Sequence, residues 1–110
     1  MSSEMLRVGW VGGLTRSEHL VEAAARRQGC HVEFHDGNVT GHRSKALRHL
    51  VHRSDIVVIT TELNSHRGVL TAREEARLAG RPVVLLRKAG LRQLEKMLGE
   101  LRDQNHHAAA

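Results

Sequence analysis

Polar side chains able to do chemistry follow the apolar segments of this 110-residue sequence. One group, His35-Asp36-Gly37, comes after the apolar segment that begins at Cys30. A larger group comes after the apolar run 56–59 and consists of Thr60, Thr61, Asn64, Ser65 and His66. Hydroxyl, amide and imidazole groups bind polar ligands, and a histidine beside a carboxylate also permits acid–base chemistry. These side chains can form one site only if the fold brings the two groups together.

The hydrophobic pattern predicts four strands that alternate with four helices. We expect strands over residues 6–11, 30–35, 55–60 and 83–86, each followed by a helix. The run Ile56-Val57-Val58-Ile59 is typical of a strand that is buried on both faces. Strands joined by helices through short loops predict a parallel sheet with right-handed crossovers. The expected fold class is therefore an α/β three-layer sandwich of strand order 2-1-3-4, half of a Rossmann- or flavodoxin-like fold.

Local signals set the expected ends of the helices. Thr15 and Glu18 have the spacing of a capping box, and Asn64 or Ser65 is suited to cap the third helix. The fourth helix carries a stripe that we expect to cover the sheet: Leu91, Leu94, Leu98 and Leu101. Residues 1–104 are expected to form a single domain, and residues 105–110 a disordered tail.

The predicted topology places a candidate site beyond the C-terminal ends of the strands. Ligands of open α/β sheets bind there, where the strand order reverses, and here that point lies between strands one and three. Gly12-Gly13 precedes a helix and is suited to offer backbone N–H groups to an anion, although a tight turn explains the pair more simply. The predicted ligand-binding set comprises Gly12, Gly13, Thr15, His35, Asp36, Gly37, Thr60, Thr61, Asn64, Ser65, His66, Arg87 and Lys88.

His35 and His66 also permit an interpretation as ligands of haem or a transition-metal ion. Two histidines are too few for a typical zinc site, whereas haem needs one or two axial ligands. The sequence has no C-x-x-C-H attachment motif. Catalysis is left open: Asp36 or Glu62 is able to orient a histidine, but Ser65 lies in no G-x-S-x-G elbow.

The charge of the chain favours anionic partners. The net charge is +5, and residues 37–54 contain no acidic residue. Nucleic-acid binding through the basic helix 43–53 is therefore another hypothesis, and it rests on Arg43, Lys45, Arg48 and Arg53. With one Trp, one Phe and no Tyr, the chain lacks the aromatic surface on which base-stacking modules depend. A solvated helix face is the simpler explanation.

The remaining composition predicts a cytoplasmic protein. Cys30 is the single cysteine, so no disulfide forms within the chain and a reducing compartment is expected. No signal-peptide pattern or membrane-length apolar run is present. Because a small sheet has edges that need protection, we expect a homodimer, and a purely structural or regulatory dimer is the last hypothesis.

Several short motifs follow one another in a distinct order: Val11-Gly12-Gly13, His35-Asp36-Gly37, Asp55 before a Val/Ile strand, Ser65-His66 and Pro82. This order resembles that of a bacterial family, domain-of-unknown-function family 2325 (DUF2325), over about residues 6–102. It implies a compact α/β fold with Gly12, Gly13, His35, Asp36, Gly37, Ser65 and His66 on one rim. Asn38 and the polar loop 62–64 depart from the pattern. The resemblance implies little about activity, and a binding module for a small anionic or phosphate-containing ligand is the leading hypothesis.

Overall fold

The computed structural model of the chain describes residues 5–13, 18–62, 64–87 and 91–109. It contains strands β1 (Leu6–Val11), β2 (Cys30–His35), β3 (Ile56–Thr60) and β4 (Val83–Leu86), and helices α1 (Glu18–Arg27), α2 (His42–Arg53), α3 (His66–Ala79) and α4 (Leu91–Ala109). The four strands form one parallel sheet of order β2-β1-β3-β4. The predicted fold class and strand order are confirmed.

The register of the sheet brings three loops to the same edge. Val11, the last residue of β1, lies beside His35 of β2 and Ile59 of β3. The chain therefore leaves β1, β2 and β3 at nearly the same height, and the loops that follow these strands are neighbours. The rim on which we expected the site to lie is thus formed.

Helices cover both faces of the sheet, as a buried parallel sheet requires. Leu98 of α4 and Ala25 of α1 pack on one face, against a cluster that includes Val8 and Trp10. On the other face, side chains from α2 and α3 pack against β3 and the end of β1, and this cluster includes Leu47, Leu50, Val51, Val57, Ile59, Ala72 and Ala76. Burying a leucine or valine side chain contributes about 1.5–3 kcal/mol. These two clusters hold the strand ends in place beneath the site.

Parts of α1, α2 and α4 differ from the expectations. The helical spacing of Leu20, Val21, Ala24 and Ala25 predicts one apolar face of α1, but Leu20 is 41% exposed. Ala46 is likewise predicted on the apolar stripe of α2 and is exposed. Helix α4 continues to Ala109, so residues 105–109, predicted as a disordered tail, are helical. No glycine or proline follows Gly99, and the terminal alanines have the highest helix propensity. The capping residue Thr15 lies outside the described residues.

The outer strands β2 and β4 leave two sheet edges. On β4, Leu85 is 47% exposed. The homodimer that would protect such an edge stays a prediction. None of the helices in the described ranges is long and apolar enough to span a bilayer.

Candidate functional site

A cleft of about 490 Å³ lies between the β2–α2 loop and the start of α3. Its walls are the segments Asp36–Thr40 and Asn64–Arg67. The predicted residues Asp36, Gly37, Asn64, Ser65 and His66 therefore come together here, although they are far apart in sequence. The cleft lies between the loops after β2 and β3, above the end of β1, whereas we expected it between the loops after β1 and β3.

At the end of β1, the backbone of Gly12 is engaged with other protein groups. The backbone N–H of Gly12 donates a hydrogen bond of 2.7 Å to the carbonyl of His35. Gly12 is buried, and a Cβ atom at this position would collide with Thr60 Oγ1. Gly12 thus allows a close approach of β1 and β3, and its N–H is already used. Gly13 beside it is half-buried.

Asn64 connects the strand ends beneath the cleft. Its Nδ2 donates to the carbonyls of Thr60 at 2.8 Å and Val11 at 3.3 Å. Because both partners are acceptors, they fix the orientation of the amide. Its Oδ1 is buried without a hydrogen-bond partner among the described residues and faces Gly37 and Gly68, where an added Cβ would collide with it. The two glycines are therefore required for the loops to meet around this side chain.

Ser65 joins the β2–α2 loop to α3. It is the N-cap of α3, and its Oγ accepts a bond of 2.8 Å from the N–H of Gly68. The same hydroxyl donates to the carbonyl of Gly37 at 3.0 Å. The predicted capping role is confirmed, and the residue also fixes the width of the cleft.

His35 lies beneath the β2–α2 loop, with 6% of its surface exposed, and does not line the cleft. Its Nδ1 accepts from the N–H of Gly37 at 3.0 Å, and its Nε2 lies 2.9 Å from the carbonyl of Arg43. Both ring nitrogens are therefore engaged, whereas a metal or haem ligand must turn an unprotonated nitrogen to the metal. His35 does not fit that role. Within the described ranges, no group of three or more His, Cys, Asp or Glu is placed to hold a metal ion.

Asp36 carries the negative charge of the cleft, and that charge is paired. Its Oδ1 accepts from the N–H of Asn38 at 2.9 Å and from the guanidinium of Arg43 at 2.5 Å. The hydrogen bond from Asn38, followed by the one from Arg43, lowers the pKa of the Asp36 carboxyl. Asp36 therefore stays ionised well into acid, with a cation beside it.

We predict a small, acid-sensitive stability contribution from Asp36. A lowered pKa means that the unfolded chain takes up this proton first, so the contribution is full above about pH 4 and disappears as the pH falls through the folded-state pKa. Asp36→Asn keeps an acceptor for Asn38 but removes the charge, and water screens this pair. We expect a loss of at most about 1 kcal/mol at neutral pH. Urea unfolding should show this difference at pH 7 and none in strong acid; an equal difference at both would contradict the assignment.

Both helices that begin at the rim start with the same dipeptide, His42-Arg43 in α2 and His66-Arg67 in α3. Neither helix has an acidic residue in its first turn, where the helix dipole favours one. Arg43 is paired with Asp36, but Arg67 has no ion-pair partner in the part of the chain that the structure describes. The uncompensated charge that lines the cleft is thus positive. Our sequence analysis did not predict Arg67 as a site residue. The repeated His-Arg pair at two helix starts without acidic residues could have indicated it.

Of the other predicted residues, Thr60, Thr61 and Arg87 lie on the rim but outside the cleft. Thr60 is buried, with its Oγ1 3.4 Å from the carbonyl of Val11. The N–H of Thr61 donates to Leu86 at 2.8 Å. The side chain of Arg87 is 88% exposed and lies 3.8 Å from the carboxylate of Glu62. Thr15 and Lys88 lie outside the described residues.

The basic helix α2 is largely neutralised by acidic residues of other elements. Arg48 lies 3.6 Å from Glu75 of α3, and Arg53 lies 3.0 Å from Glu33 of β2. Arg43 forms an ion pair with Asp36. Of the four cations predicted to bind nucleic acid, Lys45 is thus the one that forms no ion pair with a described residue. Such exposed pairs contribute little stability, but they reduce the positive field that nucleic acid would meet.

The topology and the position of the cleft define a class, the small doubly wound α/β domains that consist of half a Rossmann-like sheet. Residues 7–101 match the family described as uncharacterized protein conserved in bacteria (DUF2325), and the chain belongs to this family. The predicted resemblance is thereby confirmed. No curated protein and no solved structure matches the chain.

Proposed function

We propose that the chain is a cytosolic binding module for a small anionic ligand, such as a phosphate-containing molecule, held in the cleft at the start of α3. The observation that carries this proposal is the unpaired Arg67 at a helix N-terminus without acidic residues. The carboxylate of the cleft, Asp36, is already paired with Arg43. An anion that enters the cleft would therefore meet an uncompensated positive charge and a neutralised negative one.

The start of α3 offers donors in addition to this charge. The first N–H groups of a helix have no partner within it. Ser65 satisfies the N–H of Gly68. No group in the described ranges accepts from the N–H of His66 or Arg67, so these two donors are left for an acceptor from outside the helix. Both side chains are exposed and line the cleft. A guanidinium, an imidazole and two backbone N–H groups at a positive helix end form a donor set that suits phosphate or carboxylate.

The geometry favours binding over catalysis. A cleft of about 490 Å³ falls within the range of small-molecule sites. However, both ring nitrogens of His35 are engaged, and the carboxylate of Asp36 is held by Arg43 rather than by a histidine ring. His35 and Asp36 thus use these polar atoms in bonds within the protein, which supports binding as the proposed role.

We predict that Arg67→Ala weakens the binding of inorganic phosphate by about 10- to 100-fold, because a charge-assisted hydrogen bond contributes about 1.5–3 kcal/mol. Arg73→Ala is the matched control, since Arg73 is an exposed arginine on the same helix that does not line the cleft. The measurement is a phosphate titration followed by NMR shifts of the backbone amides, in which His66 and Arg67 should move first. If both variants lose the same phosphate affinity, or if the amide shifts are spread over the surface, the interaction is a general charge effect.

A further inference from the structure

We propose that His35 is a pH-sensitive latch that holds the β2–α2 loop and thereby the cleft. The structural part of this inference rests on the hydrogen bonds of His35, and its regulatory part rests on the proposed function. We expected His35 to contact a ligand directly. The structure places the ring behind the loop, where it acts through Gly37 as a positioning residue.

The partners of the His35 ring fix its tautomer. The backbone N–H of Gly37 is a donor, so Nδ1 must present a lone pair to it. The carbonyl of Arg43 is an acceptor, so Nε2 must carry the hydrogen. The ring therefore bridges the start of the loop and the start of α2 only in its neutral form. A second proton has no place in this arrangement.

Protonation would exchange one partner of Nδ1 for another. An imidazolium carries hydrogen on both nitrogens, so the N–H of Gly37 would then face a second donor. The carboxylate of Asp36, whose Oδ1 lies 3.8 Å from Nδ1, is the nearby acceptor that would take the new hydrogen. Among the described residues, the guanidinium of Arg43, from α2, is the other charged group beside His35 and Asp36. On the side of β1, His35 is paired in the sheet with Val11, and its carbonyl accepts from the backbone N–H of Gly12. Neither of these residues has a side chain that titrates.

Gly37 transmits the change to the cleft. Its N–H is bound to His35, and its carbonyl accepts from the hydroxyl of Ser65 at the start of α3. Its φ of 87° is fixed by these two contacts and by the close approach to Asn64. When Nδ1 becomes a donor, the bond from the N–H of Gly37 is lost, and Gly37 keeps only its bond to Ser65. Acid therefore loosens the loop that lines the cleft, and neutral pH holds this loop in place.

The test uses His35→Gln, because glutamine offers one donor and one acceptor and does not titrate. The measurement is the amide-exchange protection factor of Gly37 in the full chain without ligand, at about pH 7.5 and about pH 5. We expect the wild-type protection of Gly37 to fall about tenfold in acid, as the loss of one hydrogen bond implies. His35→Gln should keep its protection at both values. The control His49→Gln replaces an exposed histidine on α2 and should behave as wild type.

Two results would overturn the latch: unchanged wild-type protection, or an equal fall in His35→Gln. His35→Ala, if folded by circular dichroism, should show low protection at both values. Phosphate affinity then tests the regulatory part, because wild type should bind more weakly than His35→Gln in acid and equally at neutral pH. Equal affinity in acid would overturn that part. If phosphate binds to none of the variants, the proposed function fails, and the latch is decided by the exchange data alone.

Discussion

Gly37→Ala lowers the free energy of unfolding by about 3 kcal/mol, from two separate costs. The first is conformational, because Gly37 has a φ of 87°, which alanine adopts only with strain. The second is steric, because an added Cβ would collide with Oδ1 of Asn64. Asn64 is unable to retreat without breaking its bonds to Val11 and Thr60. The loop must therefore move away from α3, and the cleft loses its shape.

Gly41→Ala separates these two costs. Gly41 lies in the same loop and has a φ of 57°, but an added Cβ meets nothing within 4 Å. It should therefore show a conformational cost alone, about 1–3 kcal/mol, because its φ of 57° with ψ of −132° is a conformation that residues with a Cβ rarely adopt. Urea unfolding followed by circular dichroism measures both variants. If they lose equal stability, the close approach of Gly37 to Asn64 does not contribute, and the junction is looser than the structure shows.

The strength of the apolar pattern made the fold predictable. Ile56-Val57-Val58-Ile59 required burial on both faces, and the structure buries all four side chains between α1/α4 and α2/α3. The rim followed from the topology, since parallel strands of similar length end at the same edge. Exposed surface was less predictable: Leu20 fits a helical apolar face but lies at its margin, where 41% of it stays in contact with solvent.

The functions of individual rim residues were not predictable, because they depend on where the loops turn. Gly37 and Gly41 both have positive φ values, and between them the chain returns over His35 to start α2. That return gives His35 two backbone partners and removes it from the cleft. Spacing along the chain indicates that a histidine ends a strand, but not whether its ring points into or beneath the site.

The balance of charge at the rim has the same origin. Arg48 and Arg53 appear unopposed in a segment without acidic residues, yet Glu75 and Glu33 approach them from α3 and β2. Helix packing created these pairs, so sequence proximity gave no indication of them. The same packing left Arg67 without an ion-pair partner among the described residues. Only the folded chain shows which cations are available to a ligand.

Asn64→Asp should cost about 3 kcal/mol at neutral pH, because it replaces a donor with an acceptor that faces two carbonyls. Nδ2 of Asn64 satisfies the carbonyls of Val11 and Thr60 at the ends of β1 and β3. The introduced oxygen would repel both, and the charge would be partly removed from water. Asn38→Asp is the matched control: Asn38 is exposed, and its Oδ1 accepts from Thr40, which a carboxylate does equally well. Its effect should stay within about 0.5 kcal/mol.

The pH dependence of Asn64→Asp gives an independent check of that geometry. Burial and the two carbonyls disfavour the charged form, so the introduced carboxyl should have a raised folded-state pKa. A raised pKa means that the folded chain binds this proton more tightly than the unfolded chain, and the penalty is therefore present at neutral pH and decreases in acid. The protonated carboxyl is also able to donate to one carbonyl, as the amide does. Urea unfolding at several pH values should show the variant approaching wild type as the pH falls towards 4, and a gap that stays constant would mean that Asn64 does not donate to these carbonyls.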